Sequence, residues 1–299
     1  MHISFRLSLV LVAVALAVSP ATPWLSAQAG NRERTLFVSA VDEKGEPVEG
    51  LGPDAFVVRE EGRRREVLRV SRATEPIDVA LLADNSQAAS EEITFIRDAL
   101  SRFVAAMTGE HRITLISLAE RPTILVQYTG DAMPLKNSID RFFPISGSGM
   151  TMVDGVYETS RGLRRRDTPR AVIVPVITDG VEFTSRYSKD VVRELRASGA
   201  AVHAVTVGRF LYSDEHSIRE REFLLDEGPH ATGGQRISLL APNALAAVME
   251  RLARELSAQY KVVYGRPDSL YEGKVDVSTG RPGLRVRGTP ARGEGGAAK

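Results

Sequence analysis

The chain has 299 residues, 43% hydrophobic and 26% charged, with 39 basic against 38 acidic side chains and no cysteine. This is ordinary globular composition and excludes a collagenous, disulfide-stapled or wholly disordered chain. The absent cysteine also removes thiolate zinc sites, iron–sulfur clusters and a cysteine nucleophile, and the balanced charge argues against a nucleic-acid-binding field.

Residues 1–29 carry Arg6, an apolar or small run from Leu7 to Val18, and then the small-residue site Ala27-Gln28-Ala29. That order predicts a secretory signal cleaved after Ala29. The run is too short for a membrane anchor, which needs about 20 apolar residues, and no later segment is apolar enough to span. The mature chain is then exported, to the periplasm or beyond the cell. Cleavage removes Trp24, the one tryptophan, so the mature protein is expected to show tyrosine-type fluorescence without an indole band. Intact mass and N-terminal sequencing check this, and retention of Met1 to Ala29 refutes it.

Residues 30–75 read as a β segment, with strands at 35–41, 55–59 and 66–70 punctuated by Asp42-Glu43-Lys44-Gly45 and Glu61-Gly62. From residue 76 the pattern changes. Residues 77–83, 171–178 and 201–207 are nearly continuous apolar runs, as in strands buried on both faces of a parallel sheet. Between them lie helical periods at 90–107, 132–142, 152–165 and 189–198, the last stopped by Gly199. Residues 209–233 read as a long connection with a short helix at 218–225. A short strand at 235–238 and an amphipathic helix at 243–258 follow.

This alternation predicts an α/β fold over 76–258: a doubly wound, mostly parallel sheet with helices on both faces. Residues 259–288 return to strand, at 260–264, 274–278 and 284–287, and 289–299 read as a disordered tail. Two marginal sheets with open edges would result if each terminal segment paired only with itself. The two are therefore expected to pack together as one small β domain.

In such sheets ligands sit beyond the carboxyl ends of the strands. There the chain places Asp84-Asn85-Ser86-Gln87-Ala88, Asp179-Gly180, and Thr151 behind a Ser146-Gly147-Ser148-Gly149 loop. Asp84, Ser86, Thr151 and Asp179 are all oxygen donors of the kind a hard cation such as Mg²⁺ takes. Each also has a plain structural reading: an Asx turn at Asp84, a helix cap at Thr151-x-x-Asp154, a turn at Asp179-Gly180. Asn85, Gln87 and Gly180 stand beside them as candidate binding residues. Arg161, Arg164, Arg165 and Arg166 read as a solvated helix end. His111, His203, His216 and His230 lack metal spacing, and no Gly-x-Ser-x-Gly elbow or P-loop occurs.

The run Ile77-Asp78-Val79-Ala80-Leu81-Leu82-Ala83-Asp84-Asn85-Ser86, then Thr151, then Val176-Ile177-Thr178-Asp179-Gly180 resembles a von Willebrand factor A domain over 76–258. The segment Ala231-Thr232-Gly233-Gly234 fits as well. With the flanks Val41–Leu51, Gln259–Tyr264 and Arg281–Arg287, the chain resembles exported bacterial proteins described as VWFA-related. The resemblance implies a metal-ion-dependent adhesion site built from an Asp-x-Ser-x-Ser loop, a distant Thr and a later Asp. It implies bound Mg²⁺, with Mn²⁺ as substitute, and one open position filled by an Asp or Glu carboxylate of a protein partner. The second Ser of the loop is Ala88 here and Gln87 replaces a small residue, so the site is degenerate. The expectation is an exported, non-enzymatic protein-binding module that binds no nucleic acid. The rival is a structural module whose site has lapsed. A Mg²⁺-dependent hydrolase is the third reading, but it lacks a second Asp two residues after Asp84 and a well-placed Lys.

Overall fold

The computed structural model describes residues 31–166, 168–208, 215–267 and 274–291. The expected signal segment lies outside them. The N-terminal part holds β1 (Asn31–Val41), β2 (Val57–Glu60), β3 (Arg63–Arg65) and β4 (Val67–Arg72). The segment expected as one strand at 66–70 belongs to β4, preceded by β3, which the Glu61-Gly62 turn joins to β2; both turn residues have positive φ.

The α/β part runs β5 (Ile77–Ala83), α1 (Ile93–Met107), β6 (Arg112–Ser117), β7 (Thr123–Thr129), α2 (Ala132–Asp140), α3 (Met152–Arg165), β8 (Arg170–Ile177), α4 (Ser188–Ser198), β9 (Ala200–Val207), α5 (Glu215–Thr232), β10 (Gln235–Leu239) and α6 (Leu245–Ser257). Its six strands lie in the order β10-β9-β8-β5-β6-β7, all parallel except the β6–β7 pair. The chain winds outward from β5 in one direction and from β8 in the other, so the strand order reverses between these two neighbours.

Every residue of β5, β8 and β9 is buried, which is why their sequences are apolar without alternation. Successive side chains still divide between two cores. Leu81, Val174 and Val205 pack with Phe103 and Leu252 from α1 and α6. Leu82, Ile173 and Val202 pack with Leu163 and Leu195 from α3 and α4. Asp78, the one charge in β5, is fully buried and neutralised: its two oxygens take the Nε groups of Arg112 and Arg166 at 2.6 and 2.9 Å. A buried carboxylate held this way is tolerated only with both partners in place.

Gly199 ends α4 in the left-handed conformation, as its position predicts. α5 corrects the expected short helix. It runs through Gly228 and Pro229 to Thr232, because Leu224 and Leu225 are buried in the core and the Thr232 hydroxyl donates to Gly228 O at 2.8 Å. Packing overrides the two local breakers.

The C-terminal strands are β11 (Tyr260–Pro267), β12 (Val275–Ser278) and β13 (Arg285–Pro290). β13 reaches into the stretch expected to be a disordered tail. The two terminal segments form shared antiparallel sheets, ordered β13-β1-β11-β4 and β12-β2-β3. Their common core holds Leu36, Val38, Phe56, Val58, Val262 and Tyr264. Among the described residues no helix is long and apolar enough to cross a membrane.

Candidate metal centre

The carboxyl ends of β5 and β8 flank the point where strand order reverses. Asp84 leaves β5 with its N–H still bonded to Val176 O at 2.9 Å. Its carboxylate is fully buried. Oδ2 accepts from the Thr178 N–H at 3.2 Å and from the Thr178 hydroxyl. Oδ1 accepts the Ser86 N–H at 2.8 Å, the expected Asx turn. A carboxylate oxygen has two acceptor directions, so Oδ1 keeps one in hand.

Ser86 is the informative neighbour. It has no solvent exposure, and its hydroxyl has no hydrogen-bond partner among the described residues. Leaving a buried hydroxyl unpaired costs about 1–3 kcal/mol, so such an orphan calls for a ligand or a strain role.

Thr151 is buried, and its hydroxyl donates its single proton to Leu118 O at 2.7 Å. The lone pairs of that oxygen are left for a cation. Thr151 makes no capping bond to α3. The alternative reading of Thr151-x-x-Asp154 as a cap does not hold; Glu182 caps instead, its carboxylate accepting the Met152 and Val153 N–H groups at 3.2 and 3.0 Å. Asp154 instead pairs with Arg186. Burial pushes the Glu182 carboxyl up to about 8, against the downward pull of its two backbone donors and of Arg221.

The Asp179-Gly180 loop closes the constellation. A Cβ on Gly180 would stand 2.9 Å from the Ala88 methyl, 3.1 Å from Ser86 Oγ and 3.8 Å from Asp84 Oδ2. Only glycine lets the two loops lie this close. Arg221, itself buried, donates to Gly180 O at 2.7 Å and fixes the loop from behind. The Asp179 carboxylate lies beside Gly208 at the end of β9, where a Cβ would come within 3.4 Å of it.

Asn85 and Gln87 bind loops together. Asn85 donates through Nδ2 to Phe143 O at 3.2 Å, and its Oδ1 accepts from Ala119 N–H at 3.1 Å. Gln87 Oε1 accepts from Gly147 N–H at 3.0 Å. These bonds hold the 143–151 segment against the Asp84 turn. With the Met150 N–H bonded to Val181 O at 2.8 Å, they bring Thr151 to the strand ends that carry Ser86 and Asp179.

The donor set is two carboxylates and two hydroxyls, and the buried, unpartnered Ser86 oxygen fits a hard divalent cation. Among the described residues, no three Asp, Glu or His side chains gather closely enough to hold a metal. Hydroxyls and water must therefore complete any coordination. Sequence reading missed Thr178, Glu182 and Arg221 as contributors. Thr178 sits inside an apolar run, and the roles of the other two depend on contacts across the fold that no local pattern marks.

A family model described as von Willebrand factor type A domain matches residues 78–221. Comparison with curated proteins gives no match. Among solved structures, a von Willebrand factor type A protein from Catenulispora acidiphila is 12% identical, with 88% of this chain and 74% of that one covered and a TM-score of 0.49. The vWF domain of the type V pili tip protein Mfa5 from Porphyromonas gingivalis is 14% identical over 61% and 95%, at 0.47. Proximal thread matrix protein 1 from the mussel byssus, solved with a zinc-occupied MIDAS motif, is 14% identical over 66% and 49%, at 0.49. The chain thus spans about half the length of the mussel protein. Residues 78–221 thus match the von Willebrand factor type A domain family, and this stretch is set between β segments that pair with each other.

Proposed function

We propose that the protein is an exported, non-enzymatic interaction module whose degenerate site holds Mg²⁺ weakly and uses it to grip a carboxylate of a protein partner. The observation that carries this reading is the buried Ser86 hydroxyl without a partner, beside a Thr151 hydroxyl whose proton is already spent. Asp84, Ser86, Thr151 and Asp179 would hold the cation. When bound, it supplies a positive charge with an exchangeable position that an Asp or Glu side chain can enter. An open cleft of about 510 Å³ borders Thr151 and is walled by Glu120, Asp154, Glu158 and the exposed ring of Phe183. A partner strand or loop has room to enter there. The signal-like residues 1–29 support export.

The rival reading, a structural module with a lapsed site, draws on the Ala88 methyl, which packs against Gly180 on the same side as the Ser86 hydroxyl. Thermal melts separate the two. A cation at ten times its dissociation constant stabilises by about 1.4 kcal/mol, a shift of about 3–6 °C for a domain of this size. Such a shift is expected in millimolar Mg²⁺ or Mn²⁺ and is reversed by EDTA. Asp179→Ala is expected to abolish it, and Ala88→Ser to enlarge it by adding a hydroxyl on a turn already in place. No metal response in either the parent or Ala88→Ser establishes the structural reading instead.

A further inference from the structure

The start of α3 carries the parts of a capping box, Thr151 at the N-cap and Asp154 three residues on, and each part is engaged elsewhere. The Thr151 N–H and hydroxyl both donate to Leu118 O, at 2.9 and 2.7 Å. Asp154, which in such a box would reach back to the Thr151 N–H, is held by Arg186. The Met152 and Val153 N–H groups, the first donors of the helix, go to the two carboxyl oxygens of Glu182. Glu182 and Arg186 both belong to the segment that follows Asp179. That segment is bonded to the chain just before α3, Met150 N–H to Val181 O at 2.8 Å and Phe183 N–H to Met150 O at 2.7 Å. Glu182 thereby turns inward, 2% exposed, between the exposed side chains of Val181 and Phe183.

We propose that Glu182 is a positioning residue of the candidate metal centre: by taking the first donors of α3 it keeps Thr151 out of the cap and leaves the Thr151 oxygen for a cation. The inference rests on the metal-site reading above. Glu182 is not itself a ligand, because both its oxygens are engaged with α3. An N-cap Thr ordinarily accepts an N–H from the first turn of its helix, and a hydroxyl oxygen has only two acceptor directions. Without Glu182 the buried Val153 N–H has no acceptor, and the Thr151 hydroxyl is the one at hand. The loop after β8 thus serves the site twice: Asp179 is offered as a ligand, and Glu182 frees a second one.

The test is a double-mutant cycle of Glu182→Met and Thr151→Ala, singly and together. Methionine fills the same space without an acceptor, and Glu182→Ala is the second replacement should Met not be accommodated. In EDTA, Thr151→Ala is expected to lower the melting temperature about twice as far in the Glu182→Met chain as in the parent, because there the hydroxyl also caps α3. Mn²⁺ binding at pH 7, read from the electron-spin signal of the free ion, is measured in the Ala88→Ser chain for its expected tighter binding. Glu182→Met is expected to weaken it about tenfold, the lower end of outer-shell effects, but less than about twofold once Thr151 is replaced, since no hydroxyl is left to redirect. Glu182→Gln keeps one acceptor oxygen for the helix and is expected to recover most of the affinity. Equal falls in melting temperature in the two backgrounds would mean that Thr151 never takes the cap, and overturn the proposal. Equal losses of Mn²⁺ binding with and without the Thr151 hydroxyl would overturn it too, since Glu182 would then act by loosening the whole site. If Mn²⁺ binds, Asp179→Ala abolishes it and Glu182→Met changes nothing, the metal site stands and the role of Glu182 falls. If the parent and Ala88→Ser both bind no Mn²⁺, the metal-site reading falls and this role falls with it.

Discussion

Removing residues 260–299 is expected to strip the N-terminal strands of hydrogen-exchange protection while the sheet of β5 to β10 keeps most of its own. β11 lies between β1 and β4 and pairs with both, from Leu36↔Val262 on one side and from Val70↔Val262 on the other. β13 covers the other edge of β1, from Leu36 to Val41. Without these partners β1 and β4 have no strand neighbours. The loss of β12 also leaves β2 and β3 as an isolated two-stranded ribbon, which is marginal in water. The same cut removes Tyr260, Val262 and Tyr264 from the shared core, each worth about 1.5–3 kcal/mol of burial. It also removes the Tyr260 hydroxyl, which donates to Val48 O at 2.8 Å and accepts from Leu51 N–H at 3.2 Å. Native-state exchange on the truncated chain checks this. Protection persisting at residues 36–41 and 67–72 would show that the N-terminal strands fold on their own.

The pairing of the two ends was legible because each end alone could not bury its apolar face. Likewise, the runs at 77–83, 171–178 and 201–207 announce a parallel sheet because burial on both faces removes polar alternation. The residues after those runs then mark the site through topology alone: Asp84 and Thr178-Asp179 stand on neighbouring strands on either side of the reversal. Where reading by local pattern fails, a distant contact has taken over a local role. The motif Thr151-x-x-Asp154 has the form of a helix cap, but Glu182 reaches across to cap α3 and leaves the Thr151 hydroxyl for other use. Gly228-Pro229 has the form of a helix stop, but α5 continues because Leu224, Leu225 and Thr232 are held by the core.

Acid is expected to weaken the fold through His203, while Glu182, whose carboxyl is raised to about 8, works in the opposite direction as pH falls. His203 lies on β9 opposite Gln235 of β10, is 1% exposed, and has no hydrogen-bond partner at either ring nitrogen among the described residues. Burial is the main cause that brings its pKa down to about 4; Arg287 adds to the fall and Glu255 opposes it. In the unfolded chain the imidazole titrates near its ordinary value of about 6.5. Between these two values the unfolded state binds the proton and the folded state does not. The stability from keeping His203 neutral is therefore full above about pH 6.5 and is lost as pH falls toward 4. A difference of about 2.5 units corresponds to about 3 kcal/mol, a large share of an ordinary domain's total stability. His111, also lowered chiefly by burial, acts in the same direction. The lowered carboxyls of Glu255 and Glu75 act only below about pH 4.5. His203→Leu removes two unpaired nitrogens from a buried position, so it is expected to be within about 1 kcal/mol of the parent at pH 7. Its unfolding free energy, measured by urea titration from pH 7 to pH 4.5, is expected to fall much less steeply than that of the parent. Parallel pH profiles for the two proteins would mean that His203 finds a partner for its proton inside the fold. The ion pair of Glu255 with Arg287, which joins α6 to β13 beside the ring, would then be the place where the proton is accommodated.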